Sequence, residues 1–302
     1  MTIRTALRRT ALGAGAIVLP IGLGATPAAA GSSTPPEPPV VESLGDPATA
    51  IVLPPAPQVG QTARNALAIV IDLSVDSESV QVGFDATVDA EITGVTPEGG
   101  YTMQTTIVEM QLTDSSEGVD ASDFDLAALV GLQYEQVFSA SGAVESTTIV
   151  GLESMDADTA SLAQEFVESS QTVVVSYPTE AIGVGAKWSS EVMVDGDGFS
   201  IPVTYQLELT DITDGRFTVT ITYSSDIDLD VEGTNMTGTV SGGGTVTGSV
   251  DNILDQALDL NQDMTVNVGS GDDAMDMTMV VEIDSTSIET VPSGITAGAA
   301  TA

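Results

Sequence analysis

Apolar and polar residues alternate with a period of two over most of the chain between residues 63 and 290. Leu67, Ile69, Ile71, Leu73 and Val75 share one phase. Val80, Val82, Phe84, Ala86, Val88, Ala90 and Ile92 form a second run. Thr102, Gln104, Thr106, Val108, Met110 and Leu112 form a third, less apolar one. Further along, Val203, Tyr205, Leu207 and Leu209 alternate with polar residues, as do Phe217, Val219, Ile221 and Tyr223, then Ile227, Leu229 and Val231. Successive side chains of a strand point to opposite faces, so this pattern predicts half-buried strands. The abundance of Thr, Val and Ile suits a pleated surface. Turn signals separate the runs at Glu98-Gly99-Gly100, Ser139 to Gly142, Asp195 to Gly198, Asp214-Gly215 and Gly269 to Asp273.

Helical periodicity is confined to two places. Asp158 to Ser169 carries an apolar stripe of Leu162, Ala163, Phe166 and Val167, with Asp158 or Thr159 as the expected cap. Phe124 to Val130 predicts a short helical turn. The expected fold is mostly β: a strongly curved antiparallel sheet or open half-barrel, with one or two short helices. Long strands recur near 79–150 and 200–290, which reads as two quasi-repeated halves, about 63–176 and 177–290, of one domain. Two packed β-sandwich modules are the alternative. Within the second half, Thr237 to Val250 is punctuated by Gly238, Gly242, Gly243, Gly244 and Gly248. Glycine inside a strand marks a bend or the close approach of another group, and a sharply bent strand in a curved sheet is the expectation here.

The flanks differ in composition. Residues 1–30 read as an export signal: Arg4, Arg8 and Arg9, then an apolar stretch, then Ala28-Ala29-Ala30 as a cleavage pattern. Arg8-Arg9 also has the spacing of a twin-arginine signal, so both export routes stay open. Residues 31–62 contain eight prolines and predict an extended linker. Residues 291–302 predict a disordered tail. The expected location is therefore extracellular or in the cell envelope. No second apolar stretch reaches the length of a membrane span, so no transmembrane anchor is expected.

Charge sharpens the picture. The chain has 6 Lys+Arg against 44 Asp+Glu, and cleavage near Ala30 leaves only Arg64, Lys187 and Arg216, for a mature net charge of −41. Such a surface repels nucleic acid and anionic headgroups, so no nucleic-acid partner is expected. Screening by salt relieves its self-repulsion. High charge also keeps a strand-rich protein soluble.

The residue inventory excludes much chemistry. There is no Cys and no His, which removes disulfides, thiol nucleophiles, Ser-His-Asp catalysis and the usual zinc sites. No phosphate-binding glycine loop occurs. Asp195-Gly196-Asp197-Gly198 fails the calcium-loop pattern, because Phe199 and Gln206 stand where ligands belong. Asp272, Asp273 and Asp276 read as a solvated turn. Neither a metal site nor a cofactor is expected. Paired carboxylates are the one catalytic option, and they require two inward-facing acids in one cleft; the chain reads as a non-enzyme. Methionines are more suggestive. Met275, Met277 and Met279 sit at period two near Met264. Methionine is flexible and lines adaptable apolar surfaces, so these four are the candidate ligand-binding residues, the other reading being a gap-filling core strand.

One local motif is specific. Tyr177-Pro178-Thr179-Glu180-Ala181-Ile182-Gly183-Val184-Gly185-Ala186-Lys187-Trp188 resembles the P-x-x-x-[VI]-G-x-G-x-x-W signature of a family of secreted bacterial proteins and lipoproteins of unknown function. In that family the motif joins two β-rich halves. The chain lacks the lipobox cysteine that many such proteins carry, which removes the basis for covalent tethering. Physically the stretch makes a joint: Pro178 stops a strand, Gly183 and Gly185 permit a tight turn, and Trp188 anchors the next strand. The overall plan is also similar in architecture to envelope lipid carriers of the LolA, LppX and LprG type, in which a curved sheet encloses an apolar ligand. That likeness implies an exported binding protein for a lipid or other apolar small molecule. A structural or adhesive envelope module with an acidic, calcium-responsive surface is the alternative.

Overall fold

The structure is a computed structural model that describes residues 38–75, 78–116, 126–169, 176–196, 199–231, 234–269 and 275–291. The expected export signal lies outside the described residues, as does the expected C-terminal tail apart from Val291, which ends a strand. The strands are β1 (Val40–Ser43), β2 (Thr62–Val75), β3 (Glu78–Val95), β4 (Tyr101–Ser115), β5 (Gln133–Phe138), β6 (Val144–Ile149), β7 (Lys187–Gly196), β8 (Phe199–Thr213), β9 (Arg216–Val231), β10 (Thr234–Ser249), β11 (Gln256–Val268) and β12 (Met275–Val291). Among the described residues one α-helix, α1 (Ala157–Ser169), lies between β6 and β7, and a 3-10 turn spans Leu126–Leu129.

All the strands form a single 12-stranded sheet in the order β1-β7-β8-β9-β10-β11-β12-β2-β3-β4-β5-β6, antiparallel at every junction. The sheet is not closed: β1 and β6 each have one neighbour. The two halves of the chain contribute adjacent blocks, joined where β12 pairs with β2. One continuous sheet therefore replaces the alternative of two sandwich modules.

Hairpins follow from local chemistry. Asp214 and Gly215 both take positive φ, 51° and 76°, which is the backbone of a two-residue turn matched to strand twist. Register is pinned by charge as well. Arg64 and Asp89 are directly opposite on β2 and β3 and bond in two places, Nε to Oδ1 at 2.6 Å and Nη2 to Oδ2 at 2.7 Å. That hydrogen bond holds the Asp89 carboxyl below its usual range. Lys187 and Glu208 are likewise opposite on β7 and β8, 3.2 Å apart.

The main core gathers the inward residues of β7 to β12 with those of β2 and β3, including Trp188, Leu207, Ile221, Leu260, Ile283 and Phe84. The helix α1 covers the inner face of the other half. Its Ala163 and Val167 pack with Ile107, Leu129 and Leu132. The helix is capped by Asp156, whose carboxylate accepts from the Thr159 amide at 3.0 Å and its hydroxyl at 2.8 Å; the cap lies two residues before the nearer of the expected ones.

Two expectations are corrected. The third apolar run has its phase reversed over its first part: Tyr101, Met103, Thr105 and Ile107 are buried, whereas Val108 is 38% exposed. The cause is a bulge. Val88 pairs with Ile107 and Thr87 with Glu109, so Val108 is an extra residue that flips the phase, and only Met110 and Leu112 face inward as expected. The second correction concerns the proline-rich segment. From Pro38 onward it is laid along the sheet rather than extended away from it. Here β1 pairs with β7, Ile51 bridges Ile182, and Leu53 is 1% exposed.

Candidate ligand-binding face

Strand register arranges the inward side chains of the sheet in rows. At the end where β9 turns into β10 and β11 into β12, the first row is Leu229, Met236, Val268 and Met275, each directly opposite the next. The second is Ile227, Gly238, Val266, Met277 and Val75. The third contains Val240, Met264, Met279, Leu73 and Val80. Exposure falls from row to row: Met275 is 42% exposed, Met277 is half-buried, and Met279 and Met264 are 0% and 2% exposed.

The four methionines singled out from the sequence thus share one face. Met264 and Met279 are opposite each other and are core. Met277 and Met275 lie progressively nearer the rim. Periodicity placed them on one face but could not separate core from rim, because burial depends on distance from the sheet end. Met236, Leu229, Val268 and Val75 complete the rim. All four are half-buried and packed against the core.

The fourth row is polar across an otherwise apolar face: Ser190, Tyr205, Tyr223, Gly242 and Gln262 are successive partners on β7 to β11. Its side chains are buried, with Tyr205 at 3%, Tyr223 at 4% and Gln262 at 1% exposure. Glycine at 242 is required here. A Cβ at that position would stand 2.3 Å from the Tyr223 hydroxyl oxygen, so the phenol lies over the bare backbone and donates to Gln262 Oε1 at 2.9 Å. The Tyr205 ring lies 5.0 Å from that of Tyr223. Its hydroxyl is shielded from solvent and has no hydrogen-bond partner among the described residues. Burial, and then the neighbouring Tyr223, push the Tyr205 hydroxyl well above its ordinary pKa; burial and then Asp263 act on Tyr223 the same way. Both remain protonated donors at neutral pH. Gln262 was the legible signal for this row, as a polar residue in phase with Leu258, Leu260 and Met264.

The Pro178–Trp188 motif lies at the joint between the halves. Trp188 is 0% exposed; its indole N–H donates to the Ser176 carbonyl at 2.9 Å, and its ring is 6.2 Å from Tyr177. Gly185 has φ +83 and makes the turn. Gly183 serves another purpose. A Cβ there would stand 1.9 Å from the Asp46 carbonyl oxygen, so this glycine lets the N-terminal segment lie against the motif. That contact is fixed by hydrogen bonds from Gly183 N to Leu44 O and from Asp46 N to Val184 O, at 2.8 and 2.9 Å. Buried Pro178 lines a cleft of about 460 Å³ between Pro38-Pro39 and the Ser139–Ser141 turn, and no methionine lines it. Glu145 and Glu180 also border the cleft, but both are solvent-exposed. The side chains described as buried include no Asp or Glu, and no acidic group of three or more that could hold a metal occurs among the described residues. Nor is any described helix long and apolar enough to cross a membrane.

Neither a family model nor a curated protein matches the chain.

Proposed function

We propose that this is an exported, non-enzymatic binding protein that takes up a lipid or other apolar small molecule at the methionine-bearing end of its curved sheet. The observation that carries the reading is the rim row, in which exposed Met275 and half-buried Leu229, Met236 and Val268 lead inward to Met277, Met264 and Met279. Unbranched thioethers repack at low cost, which suits a face that must open for an apolar guest. The deeper rows are filled by side chains, so uptake begins at the rim and proceeds by displacing them. The wall is uncharged, as an apolar guest requires.

The second reading, a structural or adhesive envelope module, is favoured by that same filled interior. It is also favoured by the outer face, where exposed Asp259 and Asp284 stand directly opposite each other, an arrangement that a bridging cation would relieve.

Titration with N-phenyl-1-naphthylamine, an uncharged fluorophore that brightens in apolar surroundings, separates the two. Binding reading: saturable enhancement, reduced at least about tenfold in affinity by Met277→Asp, because a carboxylate in the wall must be desolvated. Absence of uptake by the wild type, together with calcium-dependent self-association, supports the structural module instead.

A further inference from the structure

We infer that the buried Tyr205 hydroxyl is the donor for the polar group of the guest, and that the guest is a neutral amphiphile with a single hydrogen-bond acceptor, such as an ester or a ketone on an alkyl chain. The inference rests on the binding reading above and specifies its ligand class. A phenol buried in apolar surroundings with no partner is costly, and such groups in folded proteins are ordinarily satisfied. Tyr205 is 3% exposed and its hydroxyl is orphaned among the described residues. The neighbouring donor, Tyr223, is already engaged with Gln262. One donor in this polar row thus awaits an acceptor.

Placement agrees. Tyr205 is opposite Tyr223, and the six residue steps along β9 from Tyr223 to the rim residue Leu229 span about 20 Å. An alkyl chain running from this donor along β9 to the rim passes Ile227 and ends at Leu229, beside Met236 of the rim row. Gly238 adds no side chain to the second row. Charge selects the headgroup. No Lys or Arg is buried among the described residues, and the three cations after residue 30 pair with Asp89, Glu208 and Asp255. A carboxylate or phosphate would enter unpaired and against the field of an acidic protein.

The test compares dodecane, methyl dodecanoate and dodecanoate as competitors of the bound fluorophore, on wild type and Tyr205→Phe. The expected result is that wild type prefers the ester to the alkane about tenfold, the share a neutral hydrogen bond supplies, and binds dodecanoate no better than dodecane. In Tyr205→Phe the ester preference disappears while alkane affinity is unchanged. The ligand-free variant also melts about 2–4 °C higher, because an unsatisfied hydroxyl has been removed. Equal binding of ester and alkane by the wild type, or an ester preference that survives Tyr205→Phe, overturns the polar contact while leaving the apolar site standing. A lower melting temperature in Tyr205→Phe overturns it as well, by showing that a structural partner such as a buried water holds the hydroxyl. Tight dodecanoate binding overturns the neutral headgroup. Failure of the wild type to take up any probe sinks the binding reading itself, and this inference with it.

Discussion

Gly183 shows how a single position joins distant parts of the chain. An added methyl would collide with the Asp46 carbonyl, which is main chain and cannot swing aside. Gly183→Ala is therefore expected to lower stability by roughly 2–4 kcal/mol, the range for forced backbone displacement and lost packing, measured as a shift in the urea midpoint. Trp188 fluorescence should move to longer wavelength in the same variant, since the segment it dislodges packs beside the indole. A midpoint unchanged from wild type would show that Asp46 yields freely. The sequence made Gly183 visible through its spacing to Gly185 and Trp188, but suggested a turn. The turn is made at Gly185, and what Gly183 touches comes from 137 residues earlier in the chain, a separation that local pattern does not report. Tyr205 was equally legible as an inward strand residue. That its hydroxyl lacks a partner is a property of the assembled face and of no segment.

Strands and hairpins were legible because period-two alternation and Asp-Gly or Gly-Gly turns are local signals. Bulges were not. Val108 on β4 and Ile288 on β12 are extra residues in their ladders, and both are exposed, 38% and 60%. Each inverts the phase beyond it, so the apolar pattern of β4 is blurred in sequence while its burial is regular in space. Deleting Val108 removes the phase change and forces either Tyr101 to Ile107 or Met110 and Leu112 outward; the expected outcome is loss of the cooperative unfolding transition. A soluble, cooperatively folded deletion variant would show that the bulge is dispensable. Proline content misled at the N-terminal segment for a related reason. Proline prohibits ladder donation at its own position, but Val40–Ser43 lies between prolines and pairs with β7, and Leu53 is buried beside a cis Pro54. A chain beginning at Gln61 should unfold at lower urea concentration with Trp188 partly exposed. Identical fluorescence and midpoint would contradict a packing role for this segment.

Charge and burial set the behaviour of the whole molecule. After residue 30 three cations face 44 acids, and all three are paired among the described residues, so the remaining acids repel one another across a broad sheet. Raising salt from 0.1 to 1 M shortens the screening length from roughly 10 to 3 Å. The melting temperature should rise with it, by about 2–4 °C for each kcal/mol of repulsion relieved. At alkaline pH the sign is opposite and the cause different. The five tyrosines all have raised pKa values through burial, with Tyr134 pushed up to about 12. The unfolded chain ionises its tyrosines near pH 10 while the folded chain does not. Their contribution is therefore intact below about pH 10 and is lost as pH climbs through the folded values. Tyrosinate absorbance and loss of sheet circular dichroism should appear together in one transition. Tyrosinate forming while the sheet persists would contradict that burial.

The curved sheet with its methionine rim is the centre of the account, and native mass spectrometry addresses it most directly. The protein would be purified without detergent from its own host, then extracted with organic solvent. A stoichiometric adduct of a neutral, long-chain compound, released on extraction, is the predicted result. A bare polypeptide mass that stays bare after incubation with lipid would contradict it and leave the acidic structural module as the better description.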